Sequence, residues 1–179
     1  MATAAQAREI DTLEVRYAEE ALRLDSLGAE SNEWFQIPGG LTIDSGAAEH
    51  VIPKDMCQNY PTIPSKQQAM GVYYVSANGK ELENEGERRL QLTTEDGGRK
   101  AMTFQVTEVS KPLGSVYRMC EAGQQVVFNP PGHPDGNYIR NLRTEERVPM
   151  TAVNGTYRMS AWVNPYTPDS HPSFPRQGP

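Results

Sequence analysis

The spacing of hydrophobic residues changes once along this chain, and the change separates two kinds of segment. In residues 1–30 the apolar side chains recur at steps of three, four or seven positions, which predicts an amphipathic helix. These side chains are Ile10, Leu13, Tyr17, Leu24 and Leu27. Glu20 interrupts this face, so we favour a helix laid on a domain or left free over a short coiled coil. Residues 31–40 are predicted to be a linker.

From Leu41 the period becomes two, in short β-rich runs that are separated by Gly, Asn, Asp and Pro. This pattern predicts an all-β unit with one short helix between Gly114 and Gly123. A first apolar run ends at Asp44, and the further predicted strands cover 49–53, 71–76, 80–83, 89–94, 101–106 and 125–128. Asn78-Gly79 and Asp96-Gly97-Gly98 are turn sequences, so each predicts a hairpin between the strands around it.

Two segments of different composition follow this unit. Residues 129–163 retain strand-like runs and are predicted to form a β extension. Residues 164–179 contain five prolines and almost no aliphatic side chains. Such a segment buries too little surface to offset the entropy of ordering, so we predict a disordered tail.

Composition limits the kinds of function that are open to this chain. Its 179 residues, 37% hydrophobic and 22% charged, suit one compact domain with appended tails. A net charge of -6 and the lack of a basic cluster argue against direct nucleic-acid binding. No run approaches the roughly 18 apolar residues of a membrane span, and residues 1–30 lack a signal-peptide core. We therefore expect an intracellular, cytoplasmic protein with no membrane partner.

One short motif carries candidate chemistry. The run that begins at Leu41 leads into Asp44-Ser45-Gly46-Ala47, so one aspartate ends a strand at a tight turn. An aspartic protease requires a carboxylate at a rigid strand end, a hydroxyl beside it and a glycine that permits close backbone approach. That chemistry uses two carboxylates that share one proton. Because the chain has a single such triplet, a second identical chain is the simplest source of the other aspartate.

The order of elements around this motif resembles that of a retropepsin protomer over residues 41–128. Retropepsins are the one-lobed aspartic proteases of retroviruses and retrotransposons, in which two identical chains form one active site. The resemblance consists of Asp-Ser-Gly-Ala, a hairpin with a glycine-bearing tip, a second hairpin, Leu113-Gly114, a short helix and Val126-Val127-Phe128. It implies a closed or partly open β-barrel protomer, a polypeptide substrate, a homodimer that is required for activity, and no cofactor or metal.

The resemblance also implies roles for individual residues. Asp44 is the expected catalytic residue, and Ser45, Gly46 and Gly114 are the expected supports of the active site. Substrate contacts are implied for a residue after the motif and for a flap that covers residues 71–84. The residues concerned are Ala47, Val75, Ala77, Asn78 and Gly79.

A departure from the retroviral pattern leads to one further expectation. Ser115 stands where retroviral relatives often carry an arginine that pairs with an acid near the active site. Glu49 follows the motif and therefore needs another partner. Arg118 is the candidate for that role.

The residues beyond 128 indicate which group of retropepsins the chain resembles. Tyr138–Asn141 and Asn154–Met159 resemble the sequence that follows the protease in copia-type retrotransposon polyproteins, where it leads towards an integrase. This implies that residues 129–163 are a pre-integrase-like extension and that the substrate is a retroelement polyprotein. One alternative stays open, in which a retropepsin-like fold without activity serves as an interaction or assembly module of a polyprotein.

Other kinds of site are disfavoured by the residues themselves. Ser45 and His50 suggest a serine hydrolase, but the chain has no Gly-x-Ser-x-Gly elbow. His133 and His171 lack the regular spacing of a zinc site. Gly97-Gly98 is not followed by the Lys-Ser or Lys-Thr and the helix start of a phosphate-binding loop. Cys57 and Cys120 are expected to be packed thiols.

Overall fold

The computed structural model describes residues 33–167, which form a mainly β structure. An 11-stranded sheet curls into a half-barrel, and two further strands form a separate small sheet. The all-β class is therefore confirmed, while the helix predicted over residues 1–30 lies outside the described residues. In chain order the elements are β1 (Phe35–Gln36), β2 (Leu41–Asp44), β3 (Val51–Pro53), α1 (Lys66–Ala69), β4 (Tyr74–Val75), β5 (Glu81–Leu82), β6 (Glu87–Thr94), β7 (Arg99–Thr107), β8 (Leu113–Ser115), α2 (Val116–Glu121), β9 (Gln124–Val127), β10 (Asn137–Asn141), β11 (Arg147–Val153), β12 (Thr156–Met159) and β13 (Ala161–Val163).

The strand order places the strand that ends at Asp44 inside the large sheet. That order is β1-β13-β6-β7-β3-β8-β2-β12-β11-β10-β9, and β4 and β5 form the small sheet. Most neighbours run antiparallel, but β2 is parallel to β8 and β3 is parallel to β7. The register of β2 and β8 pairs Ile43 with Gly114 and Asp44 with Ser115. On its other side β2 pairs with β12.

The second predicted hairpin is confirmed and supplies the centre of the core. β6 and β7 pair in register around the turn at Asp96-Gly97-Gly98. Side chains alternate along β6, so Leu90 and Leu92 are fully buried on one face. The predicted short helix is α2, and it ends before Gly123, whose φ of +78° is the left-handed conformation that glycine adopts at helix ends.

Arg88 occupies an inward position of β6, where an apolar side chain is usual. Its guanidinium donates hydrogen bonds to the carbonyls of Lys54 and Met56 and to the hydroxyl of Thr62. Burial lowers the pKa of Arg88. Since these acceptors satisfy its donors, the buried arginine ties the loop after β3 to the sheet.

A second short helix, α1, was not predicted. Ser65 caps it by accepting a hydrogen bond from the Gln68 amide at 3.0 Å, and Gly71, with φ of +70°, ends it. Gly71 therefore closes a helix and does not start a strand. As a result the first hairpin is shorter than predicted, with strands at Tyr74–Val75 and Glu81–Leu82 only.

Part of the predicted linker over residues 31–40 joins the large sheet. β1 pairs with β13, and the next residue, Ile37, is 2% exposed. The Ile37 amide donates to the carbonyl of Ala161 at 3.0 Å. Phe35 and Ile37 pack on the core, and this burial offsets the cost of ordering the segment.

The first residues of the predicted tail are also held on the sheet. The Asn164 side chain accepts a hydrogen bond from the Thr93 hydroxyl at 2.9 Å, and the Asn164 carbonyl accepts one from Tyr60. The Tyr166 ring packs edge-on against that of Tyr60. The rest of the tail, residues 168–179, lies outside the described residues.

The extension over residues 129–163 shares its core with the preceding strands. β12 pairs with β2, and β13 pairs with β6. Its buried apolar side chains belong to the same cluster as Leu41, Leu90 and Phe104. They are Ile139, Val148, Met150, Met159, Ala161 and Val163. The core therefore has no break between residues 128 and 129.

A chain that ends at Phe128 is expected to lose its cooperative fold. β2 loses its neighbour β12, β6 loses its neighbour β13, and the shared core loses one side. Circular dichroism and thermal melting would measure this against the full chain and a chain that ends at Thr167. Both references should melt sharply. A sharp melt of the chain that ends at Phe128 would contradict the shared core.

Candidate active site

Asp44 lies where β2 leaves the core. Leu41 and Ile43 are 0% and 5% exposed, whereas Asp44 is half-buried at the edge of a groove. Its Oδ1 accepts a hydrogen bond from the Gly46 amide at 2.7 Å, which closes the tight turn around Ser45. The local sequence thus fixes one carboxylate at a strand end.

Gly114 is the neighbour of Ile43 across the parallel pair of β2 and β8. A Cβ atom at residue 114 would lie 2.9 Å from Met119 Cε, 3.0 Å from Ile43 Cδ1 and 3.1 Å from Leu41 Cδ2. These distances are shorter than ordinary van der Waals contact. A larger residue at position 114 would therefore displace the ends of three side chains that pack β2 and α2 over β8.

Ser115 holds the loop of residues 45–49, here called the Asp44 loop. Its side chain is fully buried, and its Oγ donates to the Ala47 carbonyl at 2.6 Å. The same Oγ accepts from the Arg118 amide at 3.2 Å and so caps α2. One buried hydroxyl therefore links the loop to the start of a helix.

His50 follows the Asp44 loop and is a second attachment to β8. Its Nδ1 accepts a hydrogen bond from the Ser115 amide at 2.9 Å. Burial lowers the pKa of His50 to about 4, while Glu49 opposes this decrease and Arg118 adds to it. The imidazole is therefore neutral at neutral pH, which leaves Nδ1 free to accept.

An ion pair fixes the end of the Asp44 loop to α2. Arg118 donates from Nε at 2.8 Å and from Nη2 to the carboxylate of Glu49, and from Nη1 to Glu121. Glu49 also accepts from Gln67 of α1 at 3.2 Å. Hydrogen bonds to Glu49 and Glu121 raise the pKa of Arg118. The predicted pairing of Arg118 with Glu49 is confirmed.

The hairpin of β4 and β5 is anchored at its base. Leu82 is buried, and the Thr107 hydroxyl of β7 donates to the Glu83 carbonyl at 2.6 Å. The Asn84 amide donates to the Tyr74 hydroxyl at 3.3 Å. Burial raises the pKa of Tyr74 to about 12, so its phenol stays neutral and accepts this bond.

The tip of the hairpin is exposed and closed by its own hydrogen bonds. The Ser76 amide donates to the Lys80 carbonyl at 2.9 Å, and Gly79 has φ of +82°. Val75 is 63% exposed. Lys80 Nζ lies 3.1 Å from Glu108 Oε2, so an exposed ion pair joins the tip to the loop after β7.

The Asp44 loop, the hairpin and the loop after β7 line one groove of about 760 Å³. Six of the residues predicted for the site lie in its lining: Asp44, Gly46, Ala47, Val75, Ala77 and Asn78. The other three do not line it. Ser45 is exposed in the turn, Gly79 lies in the hairpin turn, and Gly114 lies in the core.

The third wall of the groove was not predicted from the sequence. It consists of residues 107–111 and Leu113. The register pairs Leu113 with Thr42, so this loop runs up to the strand that carries Asp44. The position of residues 107–111 directly before Leu113-Gly114 was the one feature of the sequence that could have indicated this wall. Tyr73, Tyr74 and Leu82 also line the groove, and they lie within the predicted flap although they were not named individually.

Other chemistries find little support in residues 33–167. His50 Nδ1 accepts from the Ser115 amide and not from Ser45, so the serine-hydrolase pair is not formed. In this part of the chain no group of three or more His, Cys, Asp or Glu side chains is placed to hold a metal ion. None of its helices is long and apolar enough to cross a membrane. His171 lies outside the described residues.

No protein family, curated protein or solved structure matches this chain.

Gly114→Ala is expected to lower the free energy of unfolding by about 1–3 kcal/mol, because the added methyl group overlaps three core side chains. Denaturant unfolding would measure the loss. Ile43→Val removes the Cδ1 atom that lies 3.0 Å from this Cβ position. The double variant should therefore lose less stability than the sum of the single variants, and simple additivity would refute the overlap.

Arg118→Met is expected to lower the free energy of unfolding by about 1–2 kcal/mol, because Glu49 keeps a mostly buried carboxylate without its cation. A double-mutant cycle with Glu49→Gln would isolate the pair, and Arg143→Met at an exposed position is the matched control. A coupling energy near zero would show that the pair does not hold the loop.

Proposed function

We propose that this protein is an aspartic endopeptidase of the retropepsin type, which acts as a homodimer on a polypeptide substrate. One observation carries the proposal. The carboxylate of Asp44 and the exposed hairpin tip at Val75–Asn78 lie on the same groove, although β3 and α1 separate them in the chain. A fixed carboxylate below a hairpin, with an open groove between them, is what this chemistry needs.

The second carboxylate has to come from another chain. Within residues 33–167 the groove contains two further acids, Glu49 and Glu108. Glu49 is bound by Arg118, and Glu108 is bound by Lys80. Both acids therefore already face a cation of the same chain, which disfavours either as the partner that shares a proton with Asp44. A second copy that brings its own Asp44 across a two-fold axis supplies the missing group.

The chemistry follows from placing two like charges together. Since two adjacent carboxylates disfavour double ionisation, one keeps a proton. The ionised carboxylate accepts a proton from water, and the water oxygen bonds to the carbonyl carbon of the peptide. The protonated carboxyl gives its proton to the carbonyl oxygen, which yields a neutral tetrahedral intermediate. When the C–N bond breaks, a proton passes to the leaving nitrogen.

The shape of the groove favours an extended peptide. Its lining combines apolar side chains with polar groups of the loops, and the apolar ones include Val51, Val75, Leu82, Val109 and Leu113. An extended chain pairs its backbone with strand edges and places alternate side chains in opposite pockets. The resemblance of Tyr138–Asn141 and Asn154–Met159 to copia-type sequences makes a retroelement polyprotein the proposed substrate.

One observation favours the alternative of an inactive assembly module. In retropepsins both chain ends commonly build the sheet of the dimer. Here β9, which follows α2, already pairs along its length with β10 of the same chain. If this pairing prevents a second copy from docking, the groove would serve to bind a polyprotein segment without cleaving it.

Asp44→Asn is expected to abolish peptide cleavage while leaving the melting temperature nearly unchanged. The asparagine Oδ1 can still accept the Gly46 amide, so the turn is kept, but the proton-sharing pair is lost. Mass spectrometry of a digested peptide library would measure cleavage, and thermal melting would measure the fold.

Asp55→Asn is the matched control, because it makes the same change at an exposed aspartate outside the groove lining and should leave cleavage intact. Equal cleavage by the wild-type and Asp44→Asn chains would remove Asp44 from the mechanism. If neither chain cleaves the library and sedimentation shows monomers at high concentration, the assembly module becomes the correct interpretation.

A further inference from the structure

His50 lies where the Asp44 loop meets two strands. Its carbonyl accepts the Gln105 amide of β7 at 2.8 Å, and its ring lies 5.7 Å from that of Phe104 between centroids. Its Nδ1 accepts the Ser115 amide of β8 at 2.9 Å. The imidazole is thus held on one side by an aromatic ring and on another by a backbone donor.

A short chain of hydrogen bonds connects this imidazole to the groove. Ser115 gives its amide hydrogen to His50 and its hydroxyl hydrogen to the Ala47 carbonyl at 2.6 Å. Ala47 lines the groove, and Ser115 is the register partner of Asp44. A change at His50 Nδ1 therefore reaches the loop that follows Asp44 through one buried residue.

We propose that His50 is a positioning residue whose neutral imidazole holds the Asp44 loop in its active shape, and whose protonation releases that loop. The structural part of this inference stands on the hydrogen bonds, and only its effect on cleavage rests on the proposed function.

Protonation would remove the bond to Ser115 and add an unfavourable charge. A protonated Nδ1 is a donor, so it would face the Ser115 amide as a second donor. The charged groups that act on His50 are Glu49 and Arg118, while Phe104 and Gln105 of β7 and Ser115 of β8 are uncharged. Arg118 already forms an ion pair with Glu49, so Glu49 would only partly neutralise the new positive charge on His50.

The direction of the pH dependence follows from the pKa of His50, which falls from an ordinary 6.5 to about 4 in the folded chain. Between pH 6.5 and 4 His50 is protonated in the unfolded chain but stays neutral in the folded chain, so lowering the pH favours unfolding. The contribution of His50 to stability is therefore complete above pH 6.5 and is lost as the pH falls towards 4. The unfolding constant should rise in this window by roughly two orders of magnitude.

Two variants of the full-length chain distinguish the role of His50 as a hydrogen-bond acceptor from the effect of its protonation. His50→Asn keeps an acceptor oxygen near the position of Nδ1 but does not titrate, and His50→Phe fills the space without an acceptor. At pH 7 we expect His50→Asn to lose less stability than His50→Phe, because it keeps the acceptor for the Ser115 amide although it loses the ring contact with Phe104. Between pH 6.5 and 4 it should lack the part of the destabilisation that His50 contributes. At pH 7 His50→Phe should be less stable than wild type, and this difference should shrink as the pH falls towards 4, because only the wild-type histidine titrates. His133→Asn, at an exposed histidine, should behave as wild type.

Nuclear magnetic resonance of the wild-type chain tests the same role without a substitution that could alter the fold. The Ser115 and Ala47 amide signals should shift together with the titration of the His50 imidazole nitrogens. If the chain cleaves peptides, the acid limb of kcat/KM should move to lower pH in His50→Asn. Absence of cleavage in all chains would count against the proposed function alone. Amide signals that ignore the His50 titration, or a wild-type pH profile in His50→Asn, would overturn the role of His50.

Discussion

The parallel pairing of β2 with β8 determines where the parts of the candidate site lie. It sets Ile43 against Gly114 and Asp44 against Ser115, and the glycine leaves room for the side chains of Ile43, Leu41 and Met119, which a Cβ at this position would crowd. Since α2 starts at the residue after Ser115, the same pairing brings the helix beside the Asp44 loop. Arg118 can then reach Glu49, and the Ser115 hydroxyl can reach the Ala47 carbonyl. A packing constraint in the core thus fixes the geometry of polar groups at the groove.

The other side of β2 gives the fold its second constraint. β12 occupies that edge, so the strand that carries Asp44 is held between an upstream and a downstream part of the chain. The pairing of β13 with β6 and the shared apolar cluster make residues 129–163 part of the same folding unit. A dimer of this protein therefore has to form with β9 already paired to β10. This distinguishes the chain from a retropepsin protomer whose ends remain open for the partner.

Local patterns predicted the parts of the structure that depend on neighbours in sequence. The period-two run in β6, the turn at Asp96-Gly97-Gly98 and the Asp44 turn are of this kind. β1 has two residues and α1 has four, so both are too short for a hydrophobic period to predict them. β1 is held in place by the tertiary contacts of Ile37, and α1 is stabilised by the Ser65 cap. The hydrogen bond from the Ser115 amide to His50 Nδ1 joins residues 65 positions apart, and the local sequence around neither residue indicates it. Arg88 is a charged residue at a position of β6 where the alternating pattern predicts an apolar one. It is tolerated there because carbonyls of a loop distant in sequence accept hydrogen bonds from its guanidinium.

The proposed mechanism requires an Asp44 from each of two chains at one catalytic site. Mixing wild-type and Asp44→Asn chains in varied proportion, with exchange between subunits, tests this claim directly by the peptide cleavage that remains. If each site needs two aspartates, cleavage will fall as the square of the wild-type fraction. A decrease in simple proportion to that fraction would show that a single chain carries a complete site, and would contradict the account.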